Sequence, residues 1–369
     1  MTDYYQISFA DFSEILKSLI REKVVDKVIS GVGKRNRFQI APAVESDPKK
    51  LEDFPLSQLF IYNFDRINTA TKFLHKKAGA GFTDKLAMIG HACDARALVE
   101  LSKRLQVNSE NIFVIVMEDL GTIKAGDVVK LLKAEGINPE DVQEEYLTEA
   151  EFSLKLKDGT IKTYTIANDI NINQNCNRCY IKKLDSNFDL AVTWINTKQF
   201  SHDLVLRIGS DKGRDLFSKL KIKKVELTKE EVNALVEKQS DINELSRIQQ
   251  VQDVSQFLSS DRIHELAKCN MCGICINACP VCFCTDCILI KQRKEKNIDN
   301  LTYQMTRIAH IGDSCVNCGK CSQNCPMGLP LSKIFYSMYE KVKGEFKYKT
   351  GMEKEEPIPR SHTALERSG

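Results

Sequence analysis

Apolar positions recur at helical spacing from Phe12 to Ile20 and predict an amphipathic helix. Val24 to Ser30 follows as a β-branched strand, and Lys85 to Gly90 predicts a second, short and buried. That second strand turns through His91-Ala92-Cys93-Asp94 into a helix from Ala95 to Leu105. Ile112 to Met117 is apolar at every position and reads as a buried strand. A helix from Ala125 to Glu135 comes next, with Gly136 where a C-terminal cap glycine belongs. This alternation argues for a sheet covered by helices, an α/β (α+β) domain.

Farther on, Phe152 to Leu156 alternates with period two, and Asp158-Gly159 turns it into Ile161 to Ile166, a hairpin signal. Phe188 to Trp194 and His202 to Ile208 predict strands, and Lys212 to Leu220 predicts a helix. Thr228-Lys229-Glu230-Glu231 has the capping-box pattern and opens a charged helical stretch running to about residue 264. The expected organisation is an α/β domain over 1–225, a helical linker over 226–262, a cysteine-rich module over 263–345 and a polar tail over 346–369. The tail carries Pro357 and Pro359 and is expected to be disordered or partner-bound.

Composition narrows the function more than the fold. The 53 Lys and Arg against 50 Asp and Glu leave a formal charge of +3, which gives no field for nucleic acid. The N-terminus shows no secretory pattern, and Ile112 to Met117 is far too short to span a bilayer. The expectation is a soluble, cytoplasmic, reduced protein. Of the 14 cysteines, 11 lie between Cys269 and Cys325 at spacings that suit metal ligands, not disulfides.

Cys269-x-x-Cys272-x-x-Cys275-x-x-x-Cys279-Pro280 is the bacterial ferredoxin run, and Cys315-x-x-Cys318-x-x-Cys321-x-x-x-Cys325-Pro326 repeats it with identical spacing. Three cysteines on a tight loop bind three irons of one cube, and the fourth reaches the other cube. Cys269, Cys272, Cys275 and Cys325 are therefore expected to hold one [4Fe–4S] cluster, and Cys315, Cys318, Cys321 and Cys279 the second. Gly273 and Gly319 allow close backbone approach. Zinc, which favours paired C-x-x-C units, suits this spacing poorly.

Six cysteines remain. Cys176-Asn177-Arg178-Cys179 is another C-x-x-C, and Cys282, Cys284 and Cys287 lie between the two runs. Cys93 stands at a strand-to-helix turn, where backbone N–H groups and the helix dipole favour a thiolate. Four of the six suffice for a third cluster at the domain junction: Cys93, Cys176 and Cys179 with Cys284 or Cys287, or else Cys176, Cys179, Cys284 and Cys287. A zinc site or free buried thiols are the other readings, and Cys282 is read as packing. His91 reads as a cluster-adjacent donor or a structural histidine. Lys34, Arg35 and Arg37 form a basic loop, Gly79-Ala80-Gly81 a turn, and Trp194 core. No nucleophilic triad, paired carboxylate site or phosphate loop stands out.

Three segments together resemble a known family: Ile89-Gly90-His91-Ala92-Cys93-Asp94-Ala95-Arg96-Ala97-Leu98, Cys176 to Cys179 with the strand Phe188 to Val192, and Arg207-Ile208-Gly209-Ser210-Asp211-Lys212-Gly213-Arg214. They are similar to the β subunits of coenzyme F420-reducing hydrogenase and formate dehydrogenase, over roughly residues 10 to 225. The resemblance implies Cys93, Cys176 and Cys179 as cluster ligands and an oxidoreductase subunit relaying single electrons. It also implies hetero-oligomeric partners of hydrogenase, formate dehydrogenase or heterodisulfide reductase type. The alternative it implies is an FAD-containing subunit exchanging hydride with F420 or NAD(P). The family's Ser-Gly-Gly-x-x-Thr signature near the flavin is replaced here by Ser8-Phe9-Ala10-Asp11-Phe12-Ser13, which has no glycine pair for close backbone approach.

Overall fold

The computed structural model describes residues 3–360 apart from 35, 53, 63, 65–68 and 256–259; the side chains of 253–262 also fall outside the description. An eight-stranded sheet organises the first two thirds of the chain. Its strands are β1 (Tyr4–Ser8), β2 (Lys27–Gly33), β3 (Ile40–Glu45), β4 (Leu86–His91), β5 (Ile112–Met117), β9 (Leu190–Thr193), β10 (Asp203–Ile208) and β11 (Val225–Glu226), in the order β11-β1-β10-β9-β5-β4-β2-β3. The inner strands β9, β5, β4 and β2 run parallel, and the outer ones are antiparallel. Every residue of β4 and β5 is buried, as parallel strands covered on both faces require. The exposed edge strand β11 has only two residues, which limits pairing with other chains. Strands β6 (Val142–Leu147), β7 (Glu151–Leu156) and β8 (Ile161–Thr165) form a separate antiparallel sheet around the expected hairpin, with Gly159 at φ +86°.

Two helices begin about one turn before the apolar period announces them. Phe9–Arg21 starts at Ser8, whose Oγ accepts from the Asp11 backbone N–H at 3.1 Å while the Asp11 carboxylate accepts from the Ser8 N–H at 2.9 Å. Ala92–Lys103 starts directly after β4, with Asp94 accepting from the His91 N–H at 3.3 Å. Cys93 therefore lies inside the first helical turn.

The helix Lys229–Ser255, expected as a linker, packs on the α/β domain. Thr228 and Glu231 cap it reciprocally at 3.2 and 2.8 Å. Leu235 and Ile242 enter the main core, and Gln239 donates to the buried Glu118 at 3.3 Å.

The polar tail also departs from expectation. Tyr348 and Thr350 are each 1% exposed. Tyr348 Oη donates to Glu100 at 2.5 Å, and the Gly351 N–H donates to the same carboxylate at 2.8 Å. Arg96 donates to the Thr350 carbonyl through Nε at 3.1 Å and Nη2 at 2.8 Å. A buried carboxylate and a buried guanidinium on the helix Ala92–Lys103 needed partners, and this stretch supplies them. Residues 361–369 lie outside the described residues.

Candidate metal centres

Each ferredoxin run is built the same way. Gly273 at φ +79° and Gly319 at φ +70° cap the short helices Ile274–Ala278 and Lys320–Gln323, conformations a side chain would strain. Those helices carry the third cysteines, Cys275 and Cys321. Cys275 lies within electrostatic reach of Cys269 and Cys272. Cys279 lies within electrostatic reach of Cys315, Cys318 and Cys321. Cys325 joins the same apolar cluster. Gln304 donates to Cys269 Sγ at 3.0 Å.

Buried cations stand among these thiols. Arg307 is 1% exposed, its guanidinium lies 4.8 Å over the Phe335 ring, and Nη2 donates to the Cys275 carbonyl at 3.1 Å. Its Nε and Nη1 have no acceptor among the described residues. Burial opposes its charge, but Cys275, Cys321, Cys279 and Cys282 outweigh that and raise its pKa. Lys72 reaches from the α/β domain to the carbonyls of Ile276, Cys279 and Cys282 at 3.1, 3.0 and 2.8 Å. The Cys279 thiol is pulled down by the hydrogen bond from Cys282 and by the charges of Arg307 and Lys72. These donors fit anionic iron–sulfur clusters, whose sulfurs accept such bonds.

A further cavity opens at the carboxyl ends of β4 and β5, where ligands of parallel sheets typically bind. It brings together Cys93, Cys176 and Cys179 from the α/β domain with Cys318 from the second ferredoxin run. Gly121 at φ +116° lets the backbone pass close to Cys176; an added Cβ would come within 2.8 Å of the Cys176 Cβ. Burial raises the Cys93 thiol pKa, with Asp94 and the neighbouring thiols adding to it, and burial pushes Cys176 up to about 11. The thiolate expected of Cys93 from its helix terminus alone is thus opposed by desolvation; a bound metal's charge would supply the stabilisation, and binding would release protons. Lys320, buried beside this cavity, donates to the Phe64 carbonyl at 3.1 Å.

Cys284 and Cys287, expected as completing ligands of a third set, do not line this cavity. Cys284 is exposed, and Cys287 caps the helix Ile288–Glu295. The chain after Cys279 turns toward Lys72, whose Nζ donates to the Cys282 carbonyl at 2.8 Å. Among the described residues no three His, Cys, Asp or Glu side chains converge on a point, as they would around one zinc ion. Cubane ligands need no such convergence, because each thiolate binds its own iron.

His91, in the cavity wall, is 3% exposed. Its Nδ1 pairs with the Asp119 carboxylate, and its Nε2 has no partner among the described residues. Burial lowers its pKa, but Asp119 more than compensates, and the net shift is upward. Elsewhere, Arg37 is a structural residue, bidentate to the buried Glu145 at 2.6 and 2.7 Å. Gly79–Gly81 is a 3₁₀ turn, and Trp194 stacks in the core on Phe60 at 4.7 Å. Arg35 lies outside the described residues. Sequence reasoning missed Lys72, Arg307 and Lys320. Arg307 alone had a legible signal, falling on the apolar stripe of Tyr303, Ile308 and Ile311.

Residues 83–234 match the family described as the C terminus of the coenzyme F420 hydrogenase/dehydrogenase beta subunit, and residues 265–329 match the 4Fe-4S dicluster domain. The chain is 30% identical over 294 residues to the F420-dependent formate dehydrogenase subunit beta of Methanocaldococcus jannaschii, covering 74% of this chain and 75% of that relative. The chain belongs to the coenzyme F420 hydrogenase/dehydrogenase β-subunit family. A second relative of this family, F420-dependent formate dehydrogenase 1 subunit beta of Methanococcus maripaludis, is 28% identical over 297 residues, 74% of each chain. A chain of the F420-reducing [NiFe] hydrogenase complex from Methanosarcina barkeri shares the fold, with TM-score 0.55 and 13% identity over 69% of this chain and 91% of its own. The protein is thus an iron–sulfur electron-transfer β subunit of this oxidoreductase family. No helix among the described residues is long and apolar enough to cross a membrane.

Proposed function

We propose that this β subunit serves a formate-dehydrogenase-type complex and holds three [4Fe–4S] clusters. Two belong to the ferredoxin runs, as Cys269, Cys272, Cys275 and Cys325, and as Cys279, Cys315, Cys318 and Cys321. The third belongs to Cys93, Cys176 and Cys179 with one more ligand. The observation that carries this reading is the cavity shared by those three thiols and Cys318, which makes the third site a neighbour of the ferredoxin module. The clusters would supply one-electron transfer. The chain's own residues set their surroundings: Arg307 and Lys72 offset thiolate charge, Gln304 donates to a ligand sulfur, and the apolar core of Ile276, Tyr303 and Phe335 excludes water. Partner subunits would provide the site of formate chemistry, as the relatives' names suggest.

Iron, sulfide, zinc and flavin analysis of anaerobically purified protein tests this. About twelve irons per chain without zinc agrees with three clusters; about eight removes the third, and zinc without iron defeats the proposal.

A second reading, FAD in the α/β domain exchanging hydride with F420, draws on the relatives' F420-dependent names. Against it, the Phe9 ring packs 5.3 Å from His202 at the turn where the glycine signature would lie, so flavin would need a rebuilt site. Stoichiometric flavin absorbance together with F420 reduction would favour this reading.

A further inference from the structure

We infer that His91 Nε2, not a fourth cysteine, completes the ligand set of the cluster held by Cys93, Cys176 and Cys179. The inference rests on the three-cluster reading and deepens it. Three thiols face the cavity from the α/β domain, and a cubane with one ligand per iron needs a fourth. Of the other cysteines only Cys318 lines the cavity, and it is the second cysteine of a ferredoxin run, already assigned to that run's cluster. Cys282, Cys284 and Cys287 do not line the cavity.

His91 has the features of a metal ligand. It is the last residue of β4, two positions before Cys93, so the strand end and the first helical turn present both to one cavity. Its Nε2 is buried without a partner among the described residues, which native side chains rarely tolerate unless something binds there. Its Nδ1 is held by Asp119, whose Oδ1 accepts from the Gly121 N–H at 2.5 Å. Asp119 follows β5 two residues past Met117, the register partner of His91. A ligating histidine typically donates its second ring N–H to a carboxylate in this way, which fixes the tautomer and leaves the other nitrogen free to bind. A neutral imidazole in place of a thiolate removes one negative charge, and histidine ligation raises cluster potentials. The third cluster should therefore be the most readily reduced of the three.

The test is pulsed EPR of the reduced, anaerobically purified full chain, with and without ¹⁵N-histidine labelling, alongside iron analysis. The expected result is about twelve irons per chain and, on one cluster, the strong coupling of a directly bonded nitrogen that changes with the label. His91→Ala should abolish that coupling and lower the iron to about eight. His91→Cys should keep the iron, lose the coupling and lower that cluster's midpoint potential. About twelve irons with no bonded histidine nitrogen in the wild type would overturn the ligand assignment and leave the three-cluster reading standing. About eight irons in the wild type would overturn both. A coupling that survives His91→Ala would overturn the assignment to this residue.

Discussion

Replacing Lys72 by methionine tests how the α/β domain grips the ferredoxin module. Methionine roughly keeps the length and flexibility of the side chain but removes every donor. The carbonyls of Ile276, Cys279 and Cys282, now bonded at 3.1, 3.0 and 2.8 Å, would lose their partner in a site where Lys72 is 8% exposed. At ~1–3 kcal/mol per buried unsatisfied group, and with partial relaxation, the loss is about 2–5 kcal/mol. For a chain of this size that is a fall of roughly 3–8 °C in unfolding temperature. The charge acts separately. A cluster bound through Cys279 lies on the order of 7 Å from Nζ, and at an effective dielectric constant of ~20 one unit charge there is worth about 2 kcal/mol. For a one-electron couple this is on the order of 100 mV. The midpoint of that cluster should fall by roughly this amount while the others move much less. Potentiometric titration followed by EPR, on protein of unchanged iron content, reads the shift. A midpoint unmoved within ~20 mV, or an equal shift in all clusters, would refute the reasoning.

The remaining predictions concern the supports of the sites. Arg96→Met should cost about 2–4 kcal/mol, because Arg96 bonds the Thr350 carbonyl and, at 3.1 Å, the Val316 carbonyl between Cys315 and Cys318, and both would be left without this donor; thermal unfolding and iron retention under chelator measure it. Truncation after Lys347 should be non-additive with Arg96→Met, since both empty the same contacts, and a double-mutant cycle checks this. Gly319→Ala should lose the proposed third cluster first, because a Cβ at φ +70° would collide with Asn175 beside Cys176; iron analysis should fall toward about eight per chain. Chelation of all iron should make residues 263–330 protease-sensitive while the main sheet persists, because Cys269, Cys275, Cys279 and Cys321 are part of the module's own core. Glu144 is held below its usual range: burial opposes this, but its bonds to Lys155 at 2.7 Å and to His202 outweigh it. Its folded-state pKa being depressed, its contribution is present above the unfolded carboxylate pKa and lost as pH falls through the folded one. Glu144→Gln should therefore cost about 0.5–1 kcal/mol at neutral pH, and the difference should close below about pH 4 in pH-dependent unfolding curves.

Local spacing was enough to read the ferredoxin runs, since four cysteines and a proline within a dozen residues define a cluster loop however the rest folds. It was also enough for β4, β5 and the hairpin of β7 and β8, whose periods of burial and turn residues are properties of short segments. The long helix could be seen from its capping box, but not that it would pack, because its partners Glu118 and the main core come from distant strands. The candidate third site was legible only in part. Cys93, Cys176 and Cys179 were singled out, yet Cys284 and Cys287 ranked with them, since a spare thiol looks the same on either side of a module. Tertiary packing separated them by setting β4 and β5 side by side, so that His91, Cys93 and Asp119 open onto one cavity and Cys318 meets them from across the chain. Lys72, Arg307 and the buried tail were decided there too. A lone charge or a polar tail reads as solvated until the fold removes water from it, and only then does it require the partners that hold it.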